Sequence, residues 1–417
     1  MTLDSTALET LVTLRDWVRW GASRFREAGL FFGHGTDNAY DEAYALVIHA
    51  LHLEHDRAVD YLDARLTPME RRKVFDYFLR RVEERLPAAY ITHEAWFAGL
   101  SFYVNENVLV PRSPIAELIE ARFQPWLPEL EAPRILDLCT GSGCIAVACA
   151  HYLPEARVDG SDISPSALEV ARVNVDRYGL EGRVRLFQSD LFDQLPPGRY
   201  DLIVSNPPYV SQAEMAELPD EYGHEPALGL EAGADGLDLV ARILCEGADR
   251  LEPGGIMIVE VGRSAPRLLE RYPQVPFLWL EFERGGEGVF LLTAEQLQEH
   301  QPQISRGVPT MSLRRAKSAD EYVDWVKNAV FEVDDLRECM LFESEDDILR
   351  IPAWVDPLAE SIKDLYNQMA EGRYHFGRED LPFMEIVHRY GDQIPFHTLL
   401  KQINETHRKG LEIDEEE

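Results

Sequence analysis

Between Arg134 and Val261 the chain repeats a pattern that few architectures accommodate: a short β-rich run, a turn, then residues at helical spacing. The runs are "RILDL" (Arg134 to Leu138), "RVDGSD" (Arg157 to Asp162), "RVRLFQ" (Arg183 to Gln188), "DLIVS" (Asp201 to Ser205) and "GIMIVEV" (Gly255 to Val261), with helical stretches from about Cys144 and Ala167. Strands separated by helices are too far apart in sequence for tight hairpins. They predict an α/β fold with a mostly parallel sheet covered by helices. Farther on, "FLWLEFERGGEGVFLLT" predicts two strands joined by a glycine turn, forming an antiparallel edge.

This pattern occupies a domain over 89–301. Residues 1–88 are expected to form a helical domain: in "TPMERRKVFDYFLRRVEERL", Thr67 is a cap, Pro68 takes the first helical position and Glu70 completes a capping box. Val74, Phe75, Phe78, Leu79 and Val82 mark its inner face, which puts Arg71, Arg72, Lys73, Arg80, Arg81 and Arg85 largely on a solvated outer side. A polar linker over 302–310 leads to a third domain, 311–417, acidic and mainly helical. There Ser318 and Glu321 form a capping box, Asp356 caps a helix beside Pro357, and Leu358, Ile362, Leu365 and Met369 form one stripe. The final "EIDEEE" is expected to be a solvated tail. No family resemblance is evident in the sequence of this domain, which is expected to be an interaction module for an unknown partner, or a second protein joined to the first.

Charge restricts the partners. With 41 basic and 74 acidic residues the formal net charge is −33. Such a field repels phosphate backbones and attracts cations over a Debye length of about 8 Å. No direct nucleic-acid binding is expected, and a macromolecular substrate should be basic. Cys139, Cys144, Cys149, Cys245 and Cys339 contain no CxxC pair; they are expected to be buried thiols in a reducing cytoplasm, with no metal bound. His375, His388, His397 and His407 are 13, 9 and 10 residues apart, which does not place ligands on one helix face. No signal peptide or membrane span is visible in the sequence.

The residues capable of chemistry follow the strands. After "RILDL" comes "CTGSGC", a tight turn carrying Gly141 and Gly143 just before a helix, where backbone can approach a ligand closely and the helix end favours anions. Asp162 ends the second strand about twenty residues on, at a position suited to ribose hydroxyls. Asp190 and Leu191 follow the third strand, where they could meet a purine ring. A single acid at such a place is a common helix cap. Asp137, Asp162 and Asp190 in register at successive strand ends point to a nucleoside-type ligand.

The fourth strand stops at "NPPY". Pro207 and Pro208 lack amide protons and have fixed φ, so the segment cannot continue the sheet, and the Pro207 carbonyl can turn into a cleft beside the side-chain carbonyl of Asn206. Two acceptors facing one way fit an NH₂ group, and Tyr209 is placed to cover its plane. Two substrates pose this problem: a carboxamide and the exocyclic amine of adenine. The adenine reading normally requires a basic groove, which the composition disfavours.

The combination "DLCTGSGCIA", "SDIS", "SDLF" and "NPPY" resembles the S-adenosylmethionine-dependent protein-glutamine methyltransferases. "YITHEAWFAGLSFYVNENVLVPRSPIAELI" and "EYGHEPALGLEAGADGLDL" are similar to the branch acting on ribosomal protein number three of the large subunit, rather than the branch acting on peptide chain release factors. The resemblance covers roughly the first three quarters of the chain. It implies a Rossmann-like, seven-stranded class I methyltransferase domain, S-adenosyl-L-methionine as cofactor and that basic ribosomal protein as substrate, recognised with help from the amino-terminal helices. By the same resemblance Cys139, Thr140, Gly141, Ser142 and Gly143 wrap the methionine part, Asp162 holds the ribose, Leu191 lies near adenine, and Asn206, Pro207, Pro208 and Tyr209 clamp the glutamine.

Overall fold

A computed structural model describes residues 3–307, apart from 55–56 and 128–129, and residues 315–411, apart from 343–351, 392–393 and 395. The chain divides into two compact units, Met1–Val308 and Pro309–Glu417. The amino-terminal helices and the sheet therefore share one unit.

Nine strands occur among the described residues: β1 (Glu94–Phe97), β2 (Leu100–Tyr103), β3 (Arg134–Leu138), β4 (Arg157–Asp162), β5 (Val184–Gln188), β6 (Tyr200–Ser205), β7 (Leu251–Glu260), β8 (Leu278–Trp279) and β9 (Val289–Thr293). β1 and β2 form a separate hairpin, and the other seven form one sheet in the order β5-β4-β3-β6-β7-β9-β8. Pairing is parallel from β5 through β7, whereas β9 runs antiparallel to β7 and to β8. The glycine-joined pair thus forms the antiparallel edge its sequence predicts. β3 and β6 are buried along nearly their whole length, as strands covered on both faces are. One core layer includes Ile135, Val158, Leu202 and Ile258, and the other Leu136, Ile203, Met257 and Phe290.

Chain order reverses at β3, which pairs with β4 on one side and β6 on the other. At such a switch point the loops leaving adjacent strands diverge and open a crevice beyond the carboxyl ends.

The helix Pro68–Glu83 starts as its sequence dictates, with the Thr67–Glu70 capping box and Pro68 in the first turn. Its charged side differs from expectation: Arg81 is 1% exposed. The predicted linker also needs correction. The helix Ala294–Gly307 runs through most of it with Pro302 inside, so one proline does not end a helix that packs along β7 and the helix Asp238–Gly247. Residues 308–310 lie outside the described set.

The second unit contains helices Ala319–Phe342, Val355–Ala370, Met384–Tyr390 and His397–Lys409. Val326, Leu358, Ile362, Leu365, Leu400 and Ile403 are buried in its core, and Met369 packs against it. Asp356 is not a cap: Trp354 occupies that position, and Asp356 sits in the first turn, 3.1 Å from Arg337. The predicted tail, 412–417, lies outside the described residues. Among the described residues no helix is long and apolar enough to cross a membrane.

Candidate active site

A cavity of about 760 Å³ opens at the switch point, and eleven of the thirteen residues singled out above line it: Cys139, Thr140, Gly141, Ser142, Asp162, Asp190, Leu191, Asn206, Pro207, Pro208 and Tyr209. They come from the ends of β3, β4, β5 and β6, which are neighbours in the sheet in the order β5-β4-β3-β6.

Asp137 and Gly143 do not line it. Asp137 is fully buried beneath the turn, where its Oδ2 accepts from Thr140 Oγ1 at 2.5 Å and from Ala146 N at 3.0 Å. Its role is to tie the turn to the helix Cys144–Tyr152. Its second oxygen has no hydrogen-bond partner among the described residues, and burial pushes the carboxyl up to about 7. The folded protein therefore holds this proton more tightly than the unfolded chain does. The acid costs stability as pH rises from its ordinary value near 4 towards 7, and no more above that. Urea unfolding at pH 5 and pH 8 should show Asp137→Asn losing about 2–3 kcal/mol less than the parent across this window. Equal losses would contradict the assignment.

The turn itself is built for close approach. Gly141 has φ +53°, and a Cβ added there would point into open space within the cavity wall rather than into protein. Its N–H donates to Asp162 Oδ2 at 2.9 Å, and Ser164 N donates to Asp162 Oδ1 at 2.9 Å. Burial nevertheless raises the Asp162 carboxyl above its ordinary value. Each oxygen has a lone pair left for a ligand hydroxyl. Cys139 (φ +58°) and Leu191 (φ +52°) also hold left-handed backbone, an arrangement that persists where the surroundings enforce it and clusters at ligand sites. Asp190 is tied to Arg242 at 2.7 Å.

The side chain of Asn206, half-buried at the end of β6, makes no hydrogen bond to the described residues. Its neighbour Ser205 donates to the Leu138 carbonyl at 2.8 Å, fixing β6 against β3 just before the corner. Tyr209 is held from two sides. Its hydroxyl donates to Glu260 Oε1 at 2.9 Å, and its carbonyl accepts from Ser264 Oγ at 2.7 Å. Glu260, 5% exposed, also accepts from Ser113 Oγ at 2.5 Å. Burial raises the Glu260 carboxyl, and burial with the adjacent carboxylate pushes the Tyr209 phenol well above its usual range. Tyr209 is therefore a neutral ring and no base. Part of its seat is main chain: a Cβ at Gly262 would come within 2.7 Å of the ring, and one at Gly236 within 2.3 Å of the Tyr209 carbonyl.

The rest of the lining includes residues the sequence reading did not assign to the site. Leu218, Pro219, Tyr222, Pro226 and Leu228 line the cavity together with Phe31 and Arg112. Glu225 receives a two-pronged contact from Arg112, at 2.6 and 2.7 Å, and a bond from Val110 N at 3.0 Å, while His34 lies 3.5 Å away. Burial works against the charge, yet His34 and Arg112 bring the Glu225 carboxyl down to about 2. Glu221 binds Arg81, Arg85 and Phe31 N. The phrase "EYGHEPALGL" marked this segment by resemblance alone, because its partners lie more than a hundred residues away.

The methyltransferase small domain model matches residues 123–219. A ribosomal protein uL3 glutamine methyltransferase from Xanthomonas campestris pv. campestris is 52% identical over 303 residues, covering 73% of this chain and 98% of that protein. The chain belongs to the uL3 glutamine methyltransferase family. A second family member, from Neisseria meningitidis serogroup A, is 51% identical over 292 residues, 70% of this chain and 96% of that protein. Among solved structures, a methyltransferase from Pyrococcus furiosus matches with 20% identity and a TM-score of 0.34, over 47% of this chain and 89% of that one. Membership makes the chain a methyltransferase with the seven-stranded, mostly parallel sheet described above. About a quarter of this chain is additional to the length this relative needs, since 98% of the relative is matched by 73% of the chain.

Proposed function

We propose that this chain transfers a methyl group from S-adenosylmethionine to the side-chain amide nitrogen of a glutamine in ribosomal protein uL3. The observation that carries the reading is the Asn206 carboxamide on the cavity wall, without a hydrogen bond among the described residues, at a corner where two prolines free the next carbonyl from the sheet.

The residues present suit the cofactor. The turn from Cys139 to Gly143 would hold the methionine part, with Gly141 providing the open cradle; Asp162 would take the ribose hydroxyls, and Asp190 and Leu191 would border the adenine. The cofactor supplies an electrophilic methyl group. Asn206 and the Pro207 carbonyl would each accept one hydrogen of the glutamine NH₂, fixing the nitrogen's direction and raising its electron density. Tyr209 would lie against the amide plane. An amide is a poor nucleophile, so orientation provides much of the advantage, up to about 7–11 kcal/mol in favourable intramolecular models. No strong base is required, because the methylated amide loses its proton afterwards. The net charge of −33 suits a basic protein substrate.

The direct test is label transfer from S-adenosylmethionine to isolated uL3, a release factor, DNA and RNA in parallel. Label should enter uL3 alone, at a glutamine located by mass spectrometry. Label in nucleic acid with none in uL3 would overturn the reading. Asp162→Ala should weaken cofactor binding roughly tenfold to a hundredfold, since charge-assisted bonds to the hydroxyls are lost, while leaving uL3 affinity unchanged. Calorimetry on both ligands checks this.

A further inference from the structure

Phe31 combines two properties that folding alone does not require together. The residue is 37% exposed and lines the cavity, yet its backbone is fixed at both polar atoms by buried ions. The Phe31 N–H donates to Glu221 Oε1 at 2.9 Å, and its carbonyl accepts from Arg81 Nη2 at 2.7 Å. Arg81 also donates to Glu42 Oε1 at 2.6 Å. The side chains of Arg81, Glu42 and Glu221 are all at most 1% exposed. Keeping three charged groups from water is expensive unless each is paired in good geometry. Here the cluster holds still an aromatic residue that the core does not enclose.

The ring's surroundings indicate its direction. It lies against Tyr222 at 5.7 Å and His34 at 6.4 Å between centroids, and Tyr222 in turn receives the Arg112 guanidinium at 5.3 Å. Phe31 and Tyr222 thus make one apolar stretch of the lining of the same cavity that the Asn206 corner lines. In the proposed function the glutamine side chain would take up the corner. The polypeptide on either side of it must pass along the remaining wall.

We infer that Phe31 is a substrate-binding residue: its ring, held by the Arg81–Glu42–Glu221 cluster, packs against the protein chain flanking the target glutamine. The inference rests on the proposed function. It gives the amino-terminal helices a specific part in that function, since Phe31 precedes the helix Ala39–Ala50 and Arg81 lies in the helix Pro68–Glu83. Rigid, preorganised aromatic contacts are the ones that contribute most at interfaces, because little ordering remains to be done on binding.

The test uses the full chain with isolated uL3 and S-adenosylmethionine. Phe31→Ala should raise the KM for uL3 roughly tenfold to fiftyfold, by the scale of truncated aromatic anchors. It should leave kcat at saturating uL3, cofactor affinity and thermal stability close to the parent. Phe31→Leu, which keeps apolar bulk, should recover much of the loss. An unchanged KM in Phe31→Ala, or an equal loss of cofactor affinity, overturns the inference while leaving the proposed function intact. A parent enzyme that neither binds nor methylates uL3 overturns the proposed function and the inference with it.

Discussion

Asn206→Ala is expected to lower kcat for uL3 methylation by three orders of magnitude or more while changing cofactor affinity by less than about threefold. Losing a single preorganised group at a reacting centre costs about 10²–10³ in rate. Here the same group also sets the direction of the nitrogen, and orientation is a separate and comparable contribution. The cofactor's partners are at the ends of β3, β4 and β5, so its binding should survive. Single-turnover rates with calorimetry separate the two. A variant that binds cofactor poorly but turns over normally once saturated would place Asn206 on the wrong ligand.

The second large effect is on stability. Arg81→Met is expected to destabilise the first unit by about 3–5 kcal/mol, the usual result of removing one partner from a buried ion cluster. Glu42 would lose its guanidinium outright, whereas Glu221 would retain Arg85. The loss should be local as well as global. Amide hydrogen exchange across the helix Pro68–Glu83 and around Phe31 should speed up by about two to three orders of magnitude. Adding Glu42→Gln removes one stranded charge and should restore part of the protection. Unchanged exchange in Arg81→Met would show that the cluster does not hold the wall.

The same residue shows where reading a sequence stops. Helical spacing finds the inner face of Pro68–Glu83 from Val74, Phe78 and Val82, all buried. An arginine on such a helix is ordinarily solvated, and nothing nearby in sequence says otherwise. Its partners are 39 and 140 residues away, so only the folded chain brings them together. The glycine turn and the Asn206 corner are different in kind. Their signals are backbone signals, carried by consecutive residues at strand ends, and the parallel sheet then aligns those ends without further information. Asp137 falls between the two cases. It stands near the end of a strand as Asp162 does, but alternation along β3 turns it inward, under the turn, where it accepts hydrogen bonds from Thr140 and Ala146. The helix over 294–307 was hidden by Pro302, a residue that weakens a helix locally but yields to packing on β7 and a neighbouring helix.

The seat of Tyr209 has an implication for how this enzyme can vary. Most aromatic rings rest on side chains, and a substitution beneath them is absorbed by a change of rotamer. At Gly236 and Gly262 the ring and its carbonyl meet bare backbone, which has no rotamers to change. Even a single methyl group there would move the tyrosine and, through it, the corner that begins at Asn206. Sequence drift can reshape the outer walls of this cavity and retune the partner, but the floor beneath the tyrosine is fixed, so new specificities in this fold must arise from the rim inward.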